Sequence, residues 1–572
     1  MGTFLSTSNL ADIMGVSLAT AQKWRKSGVY TPRTDEKGHE GFYMEDLLEL
    51  SPIRAMWRNH WQEELQVVPV RTFTSIELFA GGGGLALGME KAGFNHVLLN
   101  EFDSYACQTL RFNRPKWNVI EGDVEEVDFT PWRGKVDFIS GGFPCQAFSY
   151  AGKKGGLNDT RGTLFFQLAR AVREVQPKVF LGENVKGLLS HEGGRTLDVI
   201  KNAIHELGYT LVEPRVLKAI MYQVPQKRER LILVAIRNDY ADKVHFEWPS
   251  PYKRVMTLRD AFFAGELYST DVPVSSGQKY PESKQKVMEL VPEGGDWRNL
   301  PEDVQKQYMG GSFYLGGGKT GMARRLSMDE PSLTLTCAPA QKQTERCHPI
   351  ETRPLTIREY ARIQTFPDEW QFSGTLSAQY KQIGNAVPVN LAWAVGRSVM
   401  RLMNQIEQID RGEIVETLAN DRYSHDIHYY TSEGEVVQLS LFDSGVLYLS
   451  KEDPSLLIGS CRQATKEWIT SNLMYNYPVT SKEMEEHPEL SQIKHLAVIH
   501  KKTLVGYFKV TGVKIVNRKD LQEYGYPVKS SRHKSDTQYL LYTLEKSVDL
   551  MPDFKAEDFR PILGKGVSYS VL

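Results

Sequence analysis

The chain has 572 residues, of which 41% are hydrophobic and 24% are charged, and its formal net charge is −1, as is typical of a soluble protein with several domains. No stretch approaches the roughly 18 consecutive apolar residues of a membrane-spanning helix, and the first residues lack the pattern of a secretory signal. Five widely spaced cysteines without a CxxC pair argue against a zinc ribbon or a disulfide scaffold and fit a reducing cytoplasm.

Residues 1–65 predict a small helical unit of the winged-helix or helix-turn-helix type. Leu10, Ala11 and Met14 share one face of a first helix, and Gly15 falls in the turn before a second helix. The stretch that follows has the pattern of a Gly-containing hairpin wing and a short third helix. The unit resembles the winged helix of mercury-resistance-type regulators, and the alternative is any small three-helix cap.

Apolar strand patterns alternate with helical patterns between residues 70 and 248. The strand patterns are TSIELFA, NHVLLNE, VDFISGG, KVFLGEN and RLILVAI. Such alternation with short loops predicts an α/β fold built on a doubly wound, mostly parallel sheet. Ligands of these sheets bind at the carboxyl ends of the strands.

The pattern changes three times after this core. Residues 249–350 are rich in Gly, Pro and polar groups, residues 351–410 return to helix, and residues 415–572 contain short β-like runs. We therefore expect an inserted segment, a second part of the core and a separate C-terminal α+β domain.

The first strand pattern leads into a glycine turn with the features of a nucleoside site. Gly81, Gly83 and Ala86 satisfy a GxGxx(G/A) spacing, which lets a ligand approach the backbone at a helix N-terminus. Glu101 ends the second strand, where an acid can accept both hydroxyls of a ribose, and Asp123 follows the third. Because no Lys or Arg lies in the glycine turn, S-adenosylmethionine, a nucleoside with a cationic sulfonium, is favoured over a dinucleotide.

A cysteine, a carboxyl and two guanidinium groups follow other strands of the same sheet. Cys145 lies in GGFPCQAFS, Glu183 in ENV, and Arg228 and Arg230 alternate in QKRER at the start of the last strand. A buried structural thiol is the alternative for Cys145. A thiolate that adds to carbon 6 of cytosine makes carbon 5 nucleophilic, and a carboxyl near N3 relieves the developing charge. The set therefore suits cytosine-5 methylation.

Together these segments resemble the DNA cytosine-5 methyltransferases of bacterial restriction–modification systems, over about residues 74–405. The matching motifs are FAGGGG (79–84), NEFD (100–103), GD (122–123), GGFPCQAFS (141–149), RGTLF (161–165), ENV (183–185), QKRER (226–230), RPLTIREYARIQTFPD (353–368) and QIGNAVP (382–388). One departure is Glu77, where the family frequently has Asp.

The resemblance implies a role for each matched residue. Cys145 would be the covalent nucleophile on a flipped-out cytosine, with Glu183 on the base and Arg228 and Arg230 assisting. The cofactor would be S-adenosylmethionine, leaving as S-adenosylhomocysteine, without a metal. Its expected neighbours are Phe79, Gly81, Gly83, Glu101, Phe102, Asp123, Pro144 and Asn385. The expected DNA or base contacts are Gln146, Ser149, Arg324 and Thr334.

The resemblance also assigns partners and leaves alternatives open. Residues 249–350 would be the target recognition domain for double-stranded DNA, bound by a monomer in the cytoplasm with the nucleoid and away from membranes. Residues 1–65 would bind promoter DNA and autoregulate, raise target affinity or act as a cap, and residues 415–572 have the pattern of a PUA-like β-barrel. The alternative functions are an RNA cytosine-5 methyltransferase, which would lack so large a recognition region, and a fused modification–restriction enzyme.

Overall fold

The computed structural model describes most of the chain up to residue 413 and separate segments after it. The described residues are 3–27, 30–34, 38, 40–144, 164–314, 321–413, 436–442, 445–450, 456–460, 469, 474–479, 494–500, 503–517 and 538–546. The chain forms two compact units, Met1–Ile427 and His428–Leu572, and each is described by itself.

The described residues of the N-terminal segment form four helices and a small sheet. Its elements are β1 (Phe4–Ser6), α1 (Thr7–Met14), α2 (Leu18–Ser27), β2 (Arg33–Thr34), β3 (Glu40–Tyr43), a 3-10 turn (Met44–Leu47), α3 (Ser51–Trp57) and α4 (Trp61–Glu64). The Ser6 side chain caps α1 by accepting from the Asn9 amide, and Gly15 ends α1 in the left-handed region at φ 67. Ile13 of α1 is fully buried, whereas Met14, expected on that face, is half-buried.

A central sheet with flanking helices follows, in agreement with the predicted α/β fold. Its elements in chain order are β4 (Phe73–Leu78), α5 (Gly84–Lys91), β5 (Phe94–Glu101), α6 (Ser104–Asn113), β6 (Val119–Glu121), β7 (Phe138–Gly142), α7 (Leu164–Val175), β8 (Val179–Val185), α8 (Arg195–Glu206), β9 (Tyr209–Leu211), β10 (Arg215–Lys218), β11 (Gln226–Lys227), β12 (Glu229–Arg237) and α9 (Asn238–Ala241).

The strand order of this sheet is β10-β12-β8-β7-β4-β5-β6, with β9 paired to β12. Strands β4 to β8 run parallel to one another, whereas β12 is antiparallel to β8, β9 and β10. The mostly parallel sheet is thus confirmed. One detail is corrected: QKRER does not begin one continuous strand, because the chain leaves the strand at Arg228 between β11 and β12.

Two apolar cores cover the sheet. Leu98 belongs to the core that includes α7 and α8, and its neighbour Leu99 belongs to the core that includes α5 and α6. Successive strand residues point to opposite faces, so the helices lie on both faces of the sheet. This layering leaves the carboxyl ends of β4, β5, β7 and β8 at one edge.

Described residues between 249 and 350 form helices and loops around one very short strand. They contain α10 (Leu258–Phe262), α11 (Glu282–Glu289), α12 (Glu302–Met309) and β13 (Ser332–Leu333). Strand β13 pairs in parallel with β11. The buried guanidinium of Arg325 donates to the carbonyl oxygens of Met288 and Val291, both at 2.7 Å, and so holds this segment together.

Three further helices complete the first unit: α13 (Ile357–Ile363), α14 (Leu376–Asn385) and α15 (Val389–Asp410). Helix α15 packs on α5 so closely that a Cβ on Gly88 would lie 2.3 Å from the Cβ of Ala392. The last part of the unit therefore returns to the glycine turn at the start of the sheet.

The described residues of the second unit form a seven-stranded sheet. Its strands are β14 (Val436–Phe442), β15 (Gly445–Ser450), β16 (Leu456–Ser460), β17 (Met474–Val479), β18 (His495–His500), β19 (Thr503–Asn517) and β20 (Gln538–Lys546), in the order β14-β15-β16-β18-β19-β20-β17. Neighbours are antiparallel except β16 and β18. Across the described part of the chain, every helix is too short or too polar to span a bilayer.

Candidate active site

The loop after β7 begins at the edge where the site was expected. Phe143 is buried and Pro144 is exposed. The predicted nucleophile Cys145 and the predicted contacts Gln146 and Ser149 lie outside the described residues. Strand β8 pairs with β7 where this loop begins.

Glu183 on β8 lies directly beside the end of β7. Gly142 and Glu183 are register partners, and a Cβ added to Gly142 would lie only 2.9 Å from Oε2 of Glu183. The glycine thus leaves room for the carboxyl, three positions before Cys145. The site therefore has a carboxyl group next to the start of the predicted nucleophile loop.

Arg230 on β12 forms an ion pair with Glu183. The Nε of Arg230 lies 2.6 Å from Oε1 of Glu183, and the two side chains are 11% and 10% exposed. Burial raises the pKa of Glu183, while the charges of Arg230 and then Arg228 lower it. Because desolvation outweighs the two guanidinium groups, this carboxyl holds a proton at higher pH than an ordinary glutamate.

Arg228 makes different contacts from Arg230. It lies in the break between β11 and β12, and it donates to the carbonyl oxygens of Leu335 and Asn385, both at 3.3 Å. Its buried Nε has no hydrogen-bond partner among the described residues. Arg228 thus joins the segment before α13 to the end of α14, and it lies near enough to Glu183 for an electrostatic effect.

The glycine turn after β4 and the end of β5 meet as predicted from their spacing. Phe79, Gly81 and Gly83 all have positive φ, at 57, 55 and 89. Oε2 of Glu101 accepts a hydrogen bond from the Gly81 amide at 2.7 Å, and Oε1 accepts one from the Asp103 amide at 2.8 Å. A Cβ on Gly81 would meet no atom of the described residues within 4 Å, so these residues leave space for a ligand at the turn.

Two further expected cofactor neighbours lie beside this turn. The Phe102 ring is 74% exposed, which leaves its face available for stacking. Asp123 caps a short 3-10 turn, since Oδ1 accepts from the Glu125 amide at 3.0 Å. The side chain of Asn100, which the sequence reasoning missed, donates to the Gly122 carbonyl at 3.1 Å and so holds the Asp123 turn against β5.

The remaining predicted site residues contact other parts of the protein. Oδ1 of Asn385, at the end of α14, accepts from the Cys337 thiol at 3.2 Å. The Thr334 hydroxyl donates to the Lys227 carbonyl at 2.6 Å, and an amino group of Arg324 lies 3.7 Å from Asp296. Thr334 therefore also has a structural contact, next to Arg228.

Buried amides that the sequence reasoning did not assign connect the motifs. Nε2 of Gln226 donates to Oε1 of Gln364 at 2.8 Å, and Oε1 of Gln226 accepts from the Leu335 amide at 3.0 Å. Gln364 in turn donates to the Ile383 carbonyl at 2.7 Å. Gln226 lies in the motif QKRER and Gln364 in the motif RPLTIREYARIQTFPD. A polar residue among apolar ones was the sequence feature that could have indicated these buried hydrogen bonds.

The donor set of the glycine turn fits a nucleoside better than a metal. A backbone amide, two carboxylates and an exposed ring can bind a ribose, an exocyclic amine and a purine face, and the acids tolerate a sulfonium charge. In the part of the chain that the structure describes, no group of three His, Cys, Asp or Glu side chains is placed to hold a metal ion. S-adenosylmethionine therefore fits the residues present.

Comparisons with known proteins agree with this geometry. Residues 73–401 match the model of the family described as C-5 cytosine-specific DNA methylase. The chain is 63% identical over 404 residues to Type II methyltransferase M.Eco47II of Escherichia coli, a match that covers 70% of this chain and 97% of that protein. It is 60% identical over 400 residues to Type II methyltransferase M.PspPI of a Psychrobacter species, covering 70% and 96%. It is 50% identical over 344 residues to Type II methyltransferase M.Sau96I of Staphylococcus aureus, covering 59% and 77%.

Proposed function

Because the chain belongs to the family of C-5 cytosine-specific DNA methylases, we propose that it methylates one cytosine within a specific short sequence of double-stranded DNA through a covalent intermediate on Cys145. It is a DNA cytosine-5 methyltransferase of type II restriction–modification systems, a family that uses S-adenosylmethionine.

One observation carries the catalytic part of this proposal. The Glu183 carboxyl lies against Gly142 and is paired with Arg230 at 2.6 Å, at the point where the chain enters the loop of Cys145. A thiol in that loop and this carboxyl can then reach the same pyrimidine ring. Their arrangement supports attack on one edge of the ring and proton donation at another.

The residues of the chain act on the base in two stages. The Cys145 thiolate adds to carbon 6, while protonated Glu183 hydrogen-bonds or donates to N3, so that electron density reaches carbon 5. Bound S-adenosylmethionine supplies the electrophilic methyl group. A base then removes the carbon-5 proton, the bond from carbon 6 to sulfur breaks, and the thiolate is regenerated. Arg230 orients the carboxyl, and Arg228 contributes positive charge to the thiolate and the base.

This chemistry requires the cytosine to leave the DNA helix. Carbon 6 is attacked from above the ring, a direction that stacked neighbours cover in a duplex, so the base must be flipped out. We assign Gln146, Ser149, Arg324 and Thr334 to contacts with the flipped base or its phosphates. Residues 249–350 would read the sequence of the target.

The cofactor would be held at the glycine turn. Glu101 would accept the ribose hydroxyls, Asp123 the exocyclic amine, and Phe102 would stack on the purine. The other residues assigned to this site are Phe79, Gly81, Gly83, Pro144 and Asn385. S-adenosylhomocysteine would leave from the same place.

We further propose that the enzyme acts as a monomer on DNA in the bacterial cytoplasm. Residues 1–65 would also bind promoter DNA of the chain's own gene, and residues 415–572 would form an accessory, PUA-like domain. These assignments rest on the sequence patterns and can be tested apart from the catalytic proposal.

Bisulfite sequencing of host DNA tests the activity and its nucleophile. DNA from cells that express the wild-type chain should resist conversion at one short sequence, and DNA from cells with Cys145→Ser should not. Cys107→Ser is the matched control, because Cys107 is a buried thiol that donates to a backbone carbonyl at 3.3 Å and serine retains a donor. Equal methylation by wild type and Cys145→Ser would remove Cys145 as nucleophile.

Trapping provides a second readout. A duplex with 5-fluorocytosine at the mapped position cannot lose its carbon-5 substituent as a proton, so the covalent adduct should accumulate with wild type and Cys107→Ser but not with Cys145→Ser. RNA rather than DNA as the methylated polymer would contradict the substrate assignment and leave the chemistry intact.

A further inference from the structure

The N-terminal segment is anchored to the central sheet at the end of α1. Nζ of Lys218, at the end of β10, donates to the carbonyl oxygens of Ile13 at 2.7 Å and Asp12 at 3.1 Å. These carbonyls belong to the last turn of a helix, where intrahelical donors are missing and a cation is favourable. One lysine of the catalytic sheet therefore binds the C-terminal end of α1.

A second anchor lies next to the active site. Nζ of Lys227 is 2.8 Å from Oδ2 of Asp12 on α1 and 3.4 Å from Oε2 of Glu330. The Asp12 and Lys227 side chains are only 22% and 19% exposed, so solvent screens this pair incompletely. Lys227 directly precedes Arg228 in the chain. Through Lys227, the N-terminal segment thus contacts the catalytic core next to Glu330 of residues 249–350, beside the site.

Helix α2 presents a basic surface beyond these anchors. It contains Lys23, Arg25 and Lys26 and no acidic residue, and both lysines are exposed. Arg25 is paired with Glu40 at 3.0 Å. Neither lysine has a carboxylate partner among the ion pairs of the described residues. Two lysine charges are therefore available to an anionic partner.

On these observations we infer that α2 binds the phosphates of the same DNA duplex whose cytosine is methylated, outside the recognition sequence. The inference rests on the proposed function and adds a second contact surface to it. A duplex is stiff over about 150 base pairs, so DNA held beside Arg228 and Arg230 continues past the site in a nearly straight path. Lys218 pairs with Glu229 in the sheet and, together with Lys227, holds α1, so α2 belongs to the same unit as the site. In the proposed complex, the flanking DNA runs past this helix.

The test compares methylation of a short and a long duplex by the full-length chain. Both duplexes carry the sequence mapped by bisulfite sequencing, and the long one extends about two helical turns, roughly 20 base pairs, on each side. We expect the wild type to have the lower KM on the long duplex. Lys23→Glu/Lys26→Glu should remove that advantage and leave kcat, and KM on the short duplex, unchanged.

Salt dependence gives a second readout of the same contact. Each phosphate contact contributes about 0.9 to the slope of log affinity against log salt, so the double variant should lower the slope on the long duplex by about two. The matched control is Arg133→Glu/Lys135→Glu, two exposed basic residues just before β7, at the amino edge of the sheet opposite the site. It should behave as wild type on both duplexes.

Several results would overturn the inference. These are equal KM values of the wild type on both duplexes, an unchanged long-duplex advantage in the double variant, or an equal loss in the control. Loss of activity on the short duplex would indicate that the reversed charges impair folding. In that case Lys23→Gln/Lys26→Gln replaces the double variant, and its KM on the two duplexes is compared in the same way. Loss of binding to the chain's own upstream DNA without a change on the long substrate would make α2 a promoter contact only. A wild type that methylates neither duplex would contradict the proposed function instead.

Discussion

The side-chain amide of Asn184 donates a hydrogen bond to the carbonyl oxygen of Phe143, with 2.8 Å between Nδ2 and the oxygen. Asn184 follows Glu183 on β8, and Phe143 is the first residue after β7. Strand β8 therefore both presents the carboxyl and holds the beginning of the loop that contains Cys145. This hydrogen bond therefore holds the start of the Cys145 loop next to the strand that carries Glu183, and both side chains must reach one pyrimidine ring in the proposed reaction.

Removal of that bond should impair catalysis more than cofactor binding. Asn184→Ala removes this hydrogen bond to the buried Phe143, which costs about 0.5–1.5 kcal/mol of the free energy of unfolding. A loop displaced by about 1 Å can lower the rate about 100-fold. Single-turnover methylation should fall between about 10- and 100-fold, while the Kd of S-adenosylhomocysteine, measured by calorimetry, changes little.

The matched control for this prediction is Asn238→Ala. Oδ1 of Asn238 accepts from the Thr210 hydroxyl at 2.9 Å on the surface, away from the loop, so its loss should leave the rate at the wild-type value. A wild-type rate in Asn184→Ala would show that the bond does not position the loop.

The methyl-transfer rate should depend on the protonation of Glu183. Burial raises the pKa of this carboxyl above its ordinary value. The protonated form, which donates to N3, is therefore lost only as pH rises through that raised pKa. The single-turnover rate should therefore show a decreasing limb at high pH. Glu183→Gln, which can donate but not titrate, should react about 100-fold more slowly and lack that limb.

Glu206→Gln, at the exposed end of α8, provides the control and should keep the full pH profile. Persistence of the same decreasing limb in Glu183→Gln would assign it to another group.

Glu77 should make the stability of the first unit depend on pH. Its carboxyl is fully buried in β4, Oε2 accepts from the Ser140 hydroxyl at 3.2 Å, and burial raises its pKa from 4.5 to about 8. Between these values the folded state binds a proton that the unfolded state does not, so the free energy of unfolding falls as pH rises from 4.5 through 8. Glu77→Gln should flatten this decrease in urea unfolding series. Parallel curves for the two proteins would contradict the assignment.

Close packing of α15 on α5 should not tolerate a side chain at Gly88. An added Cβ would lie 2.3 Å from the Cβ of Ala392 and 2.7 Å from the backbone nitrogen of Trp393, so a helix must shift. Gly88→Ala should lower the free energy of unfolding by about 3 kcal/mol, measured by urea denaturation with tryptophan fluorescence. Gly265→Ala is the control, because a Cβ there meets no atom of the described residues within 4 Å. Equal stability of the two variants would mean that the helices separate readily.

Much of the site follows from the sequence because parallel strands end at one edge. Glu101 and Gly81 are twenty positions apart, and their contact follows from the pairing of adjacent strands. The partners of Arg228 and Gln226 could not be predicted, since these side chains bind backbone carbonyls and an amide contributed by segments more than a hundred positions away. Such contacts leave no periodic pattern in the chain.

The alternation of strands and helices, the family and the candidate nucleophile were all predictable from the amino-acid sequence, because strand and helix periods, turn residues and short motifs are local properties. Three other features emerge from the folded chain: the break in the strand at Arg228, the pairing of Arg230 with Glu183, and the contacts of α1 with Lys218 and Lys227. These features depend on which distant segments pack together, and packing is set by the shapes and unpaired polar groups of whole elements.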